Sequence, residues 1–279
     1  MRNGLKVRFH DLEELAEWDI SCVEFHLTDK DLDVDLGGLR CDKDFAVHCP
    51  EYWDGVLIDP CSTDELRRSR AVDVIQRTID KTREMVDAFP TARPKMVLHP
   101  GGMSLEPLRN REELLSNLAD SVGRLDADGV EILLENMPPF PWFYGGQWLC
   151  NVFMGASEIR DYLGRQGGGM CFDISHAQLW CEHAGDNLDD YIRTVKPFIR
   201  HIHVADASGV DGEGVQIDEG DIDFAAAMAQ LADLDDVELI PEIWYGHKNN
   251  FEGFRIAFER LAKYYPEETS CADTKTVTT

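Results

Sequence analysis

The sequence predicts an α/β protein built as a single (β/α)8 TIM barrel, with its active site at the C-terminal ends of the strands. Three observations predict this. Short apolar runs alternate with longer amphipathic stretches, the pattern of parallel strands joined by outer helices. Eight such runs can be counted along the chain, enough to close a barrel rather than leave an open sheet. The chain has 279 residues, and one barrel of this kind takes about 250. Residues 1–266 are assigned to the barrel. Residues 267–279 carry no apolar periodicity and are assigned to a flexible C-terminal tail.

In chain order, the first strand is expected at 5–9, followed by an amphipathic stretch at 11–18. The second and third strands are expected at 22–27 and 45–49, with a long helix at 62–89. A fourth strand at 95–98 leads to a helix at 110–127, and a fifth at 130–135 leads to the segment 136–153. That segment reads NMPPFPWFYGGQWLCNVF. Large aromatics beside prolines and a Gly-Gly pair suit a structured loop covering a pocket. A helix at 156–165, a sixth strand at 170–173, a helix at 187–197 and a seventh strand at 201–204 follow. The Gly- and Asp-rich stretch 206–222 is a loop, 223–234 a helix, 237–243 the eighth strand and 251–264 the closing helix.

Composition narrows the function. The chain has 27 Lys and Arg against 53 Asp and Glu, a formal charge of −26. Partners held by phosphate contacts need clustered Lys and Arg, so nucleic acid is not expected, nor an anionic membrane surface. A hydrophobic share of 43% excludes a disordered acidic chain. Asp outnumbers Glu 31 to 22, and Arg outnumbers Lys 18 to 9. This suits either a soluble, self-repelling surface or adaptation to high salt. There is no apolar run of the roughly 18 residues a membrane span needs, and the N-terminus has no signal-peptide core. Eight Cys without a CxxC pair read as reduced, mostly buried thiols of a cytoplasmic protein. No GxGxxG or GxxxxGK(S/T) loop occurs, so no nucleotide cofactor is expected.

The strand ends carry the chemistry. Strand two ends near Glu24 and His26, strand three at His48, strand four at His99 and strand five at Glu135. Strand six ends at Asp173 with His176 just beyond, strand seven carries His201 and His203, and strand eight Glu242. Each residue alone has a plain structural explanation. His48 can be a hydrogen-bonded core histidine, Glu135 can pair with an Arg, and Asp173 can cap the following helix. His201 and His203 share one strand face, so one of them can serve packing alone. Their convergence is what matters. Several carboxylates on inward strand ends repel in a low-dielectric cavity, and a divalent cation removes that repulsion. Carboxylates with imidazole suit Mn, Mg, Co or Zn.

This ordered set resembles the xylose isomerase-like TIM barrels, the superfamily that also holds endonuclease IV-type AP endonucleases. The resemblance covers nearly the whole chain. It rests on His99-Pro100, Glu135-Asn136, Asp173-Ile-Ser-His176, His203-Val-Ala-Asp206, Glu219-Gly220-Asp221-Ile222-Asp223-Phe224 and Glu242. One departure is Asp218, where the first Gly of that loop usually stands. The resemblance implies one divalent metal ion held by Glu135, Asp173, His203 and Glu242, with Glu135 and Glu242 also catalytic. It implies a second-metal or substrate role for His48, His99 and His176. Endonuclease-type members place an Asp-x-His in the loop after strand seven. The matching stretch here is Gly212-Glu213-Gly214, so a third zinc site lacks two ligands.

The expected function is a divalent-metal-dependent sugar or sugar-phosphate isomerase or epimerase, acting by proton abstraction next to a carbonyl through an enediolate. Dehydration begins with the same step. The alternatives are an endonuclease IV-like AP endonuclease or phosphodiesterase, and a non-catalytic sugar-binding barrel. Trp53, Trp142 and Trp244 are expected to wall the substrate, and His247 and Lys248 to bind a phosphate or carboxylate on it. The expected partner is a small-molecule sugar or sugar phosphate, with a homodimer an open option.

Overall fold

A computed structural model describes residues 1–264; the tail expected at 267–279 lies outside the described residues. Eight parallel strands close into a barrel: β1 (Arg2–Val7), β2 (Cys22–His26), β3 (Asp44–His48), β4 (Lys95–Leu98), β5 (Glu131–Glu135), β6 (Gly169–Asp173), β7 (Ile199–Val204) and β8 (Glu238–Pro241). Each pairs with its neighbours in sequence, and β8 closes on β1 through Arg2 opposite Glu238.

The period of two along each strand sorts its side chains. Leu5, Val7, Val23, Phe25, Phe45, Val47, Met96 and Leu98 face outward into the large core shared with the helices. Inside the barrel the apolar filling is small, a separate cluster of Val97, Leu133 and Cys171. The remaining interior positions mix Cys22, Ala46 and Ile240 with charged and imidazole side chains. At the floor, Glu238 accepts from Arg2, from Lys95 at 2.6 Å and faces His201 Nδ1 at 3.1 Å.

The helices are α1 (Glu65–Met85), α2 (Arg111–Gly123), α3 (Ala156–Gln166), α4 (Ile174–Ala184), α5 (Leu188–Val195), α6 (Phe224–Leu231) and α7 (Lys248–Leu261). Several expectations are corrected. The first strand lies at 2–7 rather than 5–9, because Arg2 and Asn3 pair with β8. Phe9 opens a 3-10 helix through Glu17 and packs its ring 4.9 Å from that of Phe25. Helix α4 was not expected; Asp173 caps its start and Gly185, left-handed at φ 73°, ends it. Strand β8 stops at Pro241, so Glu242 stands just past the strand. The first turn of α7 is left-handed at Asn249, Asn250 and Phe251.

Three hairpins stand on the C-terminal rim, around 52–57, 142–147 and 206–215. The middle one belongs to the expected pocket-covering segment. It is tied to both neighbours: Tyr144 Oη donates to the Gly55 carbonyl at 3.1 Å, and Gln147 Nε2 to Asp211 at 2.9 Å. Among the described residues, seven cysteines are unpaired and all but Cys41 are buried. Among the same residues, no helix is long and apolar enough to cross a membrane.

Candidate active site

The site begins where β5 and β6 end. Asn136 straps these strands together: its Nδ2 donates to the Asp173 carbonyl and its Oδ1 accepts the Asp173 N–H, both at 2.8 Å. The strap holds Glu135 and Asp173 side by side. Asp173 Oδ1 accepts the His176 N–H at 2.7 Å, so the capping role and the site position coexist in one carboxylate.

Glu135 is the hub. Its Oε1 lies 3.4 Å from Nδ1 of both His203 and His176, and its Oε2 lies 3.3 Å from Nε2 of both His48 and His99. His48 Nδ1 sits 2.8 Å from the Cys49 carbonyl. A carbonyl only accepts, so Nδ1 carries the proton and Nε2 is the side turned to Glu135.

His203 is fixed from behind. Its Nε2 lies 2.9 Å from Glu24 Oε2, and its Nδ1 lies 2.8 Å from Glu242 Oε2. His201 stands one layer deeper, with Nε2 2.6 Å from Glu24 and Nδ1 3.1 Å from Glu238. Both of its ring nitrogens are engaged below the site. Lys6 Nζ donates to Glu242 Oε1 at 2.6 Å and lies 3.4 Å from Glu24. Glu242 is thereby left with Oε2 toward His203.

The charges are strongly biased. Burial alone raises Glu135, but the imidazoles of His203 and His99 outweigh it and hold it well below the usual carboxylate range. Burial likewise opposes Glu242, which Lys6 and His203 hold low. Asp173 goes the other way, pushed up to about 6 by burial and by Glu135 and Glu242. His176 is raised to about 10: burial opposes its charge, and Asp173, Glu213 and Glu135 override that.

Two overlapping donor groups result. Glu135, Asp173, His203 and Glu242 bring ligand atoms within 4.8 Å of one another, and so do His48, His99 and Glu135. Glu135 Oε2, Glu242 Oε2 and His203 Nδ1 are buried and meet one another and the neighbouring imidazoles only at the ion-pair distances above, without an aligned hydrogen bond, and His99 Nδ1 has none. Buried donors of this kind, mixed oxygen and imidazole nitrogen, fit a divalent ion. A third grouping, Cys171, His201 and His203, fits less well, because both histidines turn Nε2 to Glu24 and burial pushes the Cys171 thiol up.

A cavity of about 330 Å³ opens above, with Trp142, Phe143, Tyr144 and Trp244 in its wall beside Glu135, Asp173, His176 and Glu242. Trp244 lies across Gly214, whose φ is +66° and where a Cβ would run into the indole. Asp206 sets that loop by accepting the N–H groups of Ala207, Gly220 and Ile222 at 2.8, 2.8 and 3.1 Å. Of the expected substrate residues, Trp142 and Trp244 line this cavity. Trp53 does not; it lines a separate groove under the Arg77 guanidinium, 4.5 Å from its ring. His247 lines a neighbouring cavity, and Lys248 Nζ rests 3.9 Å from the centre of the Tyr245 ring. Lys6 and Glu213 escaped notice in the sequence, and Glu24 was given no role there. Lys6 and Glu24 were detectable in principle: both interrupt apolar runs, and they pair in register across β1 and β2.

The family described as xylose isomerase-like TIM barrel matches residues 12–264. The uncharacterized protein MJ1311 of Methanocaldococcus jannaschii is 27% identical over 237 residues, covering 80% of this chain and 74% of its own. A D-tagatose 3-epimerase-like protein superposes with a TM-score of 0.64 at 22% identity, covering 94% of this chain and 100% of that one. Endonuclease IV from Thermus thermophilus superposes with a TM-score of 0.59 at 16% identity, covering 94% and 100%. At such identities the structural likeness shows the fold alone.

Proposed function

The chain belongs to the xylose isomerase-like TIM barrel family, and on that premise we propose that it is a divalent-metal-dependent sugar isomerase or epimerase. One observation carries the reading. Glu135, at the end of β5, and Glu242, just past β8, converge on His203 Nδ1 at 3.4 and 2.8 Å and border the same aromatic-walled cavity. Two ionised carboxylates on one small cavity suit a reaction that removes a proton from carbon and returns one.

Glu135, Asp173, His203 and Glu242 would hold a single Mn, Mg, Co or Zn ion. Its chemistry there is to polarise a sugar carbonyl and the neighbouring hydroxyl, which stabilises an enediolate. The chain's own residues do the rest. One of Glu135 and Glu242 takes the proton beside the carbonyl, and the other returns a proton to carbon. Lys6 anchors Oε1 of Glu242, leaving Oε2 as its working oxygen. The unpaired thiols support a cytoplasmic setting.

A second reading has its own observation: His48, His99 and Glu135 form a second donor group, which a two-ion phosphodiesterase would use. Gly212 and Gly214 offer no side-chain ligand for a third ion, and the net charge of −26 disfavours a DNA substrate.

Metal content and solvent deuterium incorporation into a panel of ketoses and their phosphates test the proposal. About one ion per chain with deuterium at carbon is the expected result. Glu135→Gln and Glu242→Gln should each lower turnover by roughly 10²- to 10⁴-fold, the usual worth of a positioned acid or base. A fully active variant removes that residue from the mechanism. Two ions per chain, no exchange and cleavage of abasic DNA would favour the second reading.

A further inference from the structure

We infer that the cavity next to the catalytic one, between the loops following β1 and β8, receives an anionic terminal group of the substrate, a phosphate or a carboxylate. The inference rests on reading the site as a sugar isomerase or epimerase and adds the class of sugar. This second cavity has about 890 Å³ and meets the first along Glu242 and Trp244. A sugar with its carbonyl at Glu242 therefore has room to extend past that residue.

The two cavities differ in sign. The catalytic one is bordered by five carboxylates, Glu51, Glu135, Asp173, Glu213 and Glu242, against the two imidazoles of His99 and His176. The second is bordered by Lys6, Arg8, His10, His26 and His247 and, among the described residues, by two acids, Asp11 and Glu242. Both acids are already engaged. Asp11 accepts the Arg8 backbone N–H at 2.6 Å and lies 3.4 Å from His10, and Glu242 is held by Lys6. In a chain with 53 acidic residues against 27 basic ones, a guanidinium that lines a cavity with both neighbouring acids already engaged is a local reversal.

Arg8 is its centre. Its guanidinium donates to the His26 carbonyl, and among the described residues no carboxylate pairs with it. An anchored, half-buried guanidinium keeps donors free in a planar fork that fits phosphate and carboxylate. One wall of the cavity is also kept in a costly shape. Tyr245, Asn250 and Phe251 line it with φ of 59°, 58° and 59°, a conformation costing about 1 kcal/mol or more for each such residue.

The test compares kcat/KM of the metal-loaded enzyme for neutral ketoses, their terminal phosphates and the corresponding uronates. The anionic forms should be preferred, and whichever is preferred identifies the group. Arg8→Met should reduce that preference by roughly 30-fold, the worth of a charged hydrogen bond, and Arg8→Lys should restore part of it. Equal use of neutral and anionic sugars, or a preference unchanged in Arg8→Met, overturns the inference. If no sugar reacts, the functional reading has failed and the subsite is tested alone by titrating glycerol 3-phosphate against glycerol. Binding of the phosphate that weakens at least 10-fold in Arg8→Met supports it; absent or unchanged binding overturns it. Should Arg8→Met fail to fold, exposed His247→Ala provides the same comparison, with a several-fold weaker anion preference expected and an unchanged one counting against the subsite.

Discussion

His203 divides its two ring nitrogens between two tasks. Nε2 lies 2.9 Å from Glu24, and Nδ1 faces Glu135 and Glu242. A carboxylate behind a ligating imidazole fixes its tautomer and strengthens it as a donor. Glu24→Gln should therefore weaken metal binding by roughly 10- to 100-fold, read by chelator competition. His203→Ala should lose the ion, whereas His201→Ala should keep it, since both His201 nitrogens are engaged below the site. Retention in the first and loss in the second would place the ligand one layer deeper. Glu135, Asp173, His203 and Glu242 could be singled out in the sequence because each stands at the end of an apolar run, where a charge is conspicuous. Lys6 is not singled out, and Glu24, though named near a strand end, receives no role, for the opposite reason. A barrel interior is expected to be apolar, so a charge within a strand gives no indication of the layer it occupies. Trp53 shows another limit: a loop aromatic carries no periodicity from which its direction can be read.

At the scale of elements, the barrel floor joins β1, β4, β7 and β8 through one carboxylate. Glu238 is 3% exposed and is surrounded by Arg2, Lys95 and His201. Burial alone would raise it, but His201 and Lys95 dominate and lower it from 4.5 to about 2. A depressed carboxylate stabilises the fold above its unfolded pKa, and that stability is lost as pH falls through the folded value. Its contribution is therefore complete at pH 7, declines below about 4.5 and is gone near 2. The shift corresponds to about 3 kcal/mol at 1.36 kcal/mol per unit. Urea unfolding of the protein and of Glu238→Gln should show that gap at neutral pH and its closure across this window. A gap independent of pH would mean that packing, not charge, ties the floor together. The elements themselves were largely legible, because the outward faces alternate cleanly. Helix α4 is absent from the expected elements even though Asp173 is weighed there as a helix cap; the structure makes that carboxylate both cap and site residue. The start of β1 was missed because Arg2 and Asn3 are polar and are held by ladder pairing with β8 rather than by burial.

At the scale of the whole molecule, the surplus of negative charge is the dominant long-range term. The formal charge is −26 on 279 residues, and most carboxylates outside the barrel are exposed. Surface ion pairs such as Arg193–Asp190 and Arg77–Asp33 are each worth about 0–1 kcal/mol, and salt weakens them. The repulsion is weakened too, and it involves far more pairs. The screening length shortens from about 10 Å at 0.1 M to about 3 Å at 1 M, a range over which neighbouring surface carboxylates stop sensing one another. The buried charges around Glu24, Glu135 and Glu238 lie out of reach of that screening. Stability should consequently rise between about 0.1 and 1 M KCl, by an increment shared by the protein and by Glu238→Gln. Potassium chloride is the appropriate salt because it adds no divalent ion to the site, so a rise cannot be metal binding in disguise. Thermal unfolding of the metal-free protein across that series decides the matter. A rising midpoint assigns the acidity to a fold that relies on screening. A flat or falling one means that the surface pairs offset the repulsion, and the charge then bears on solubility alone.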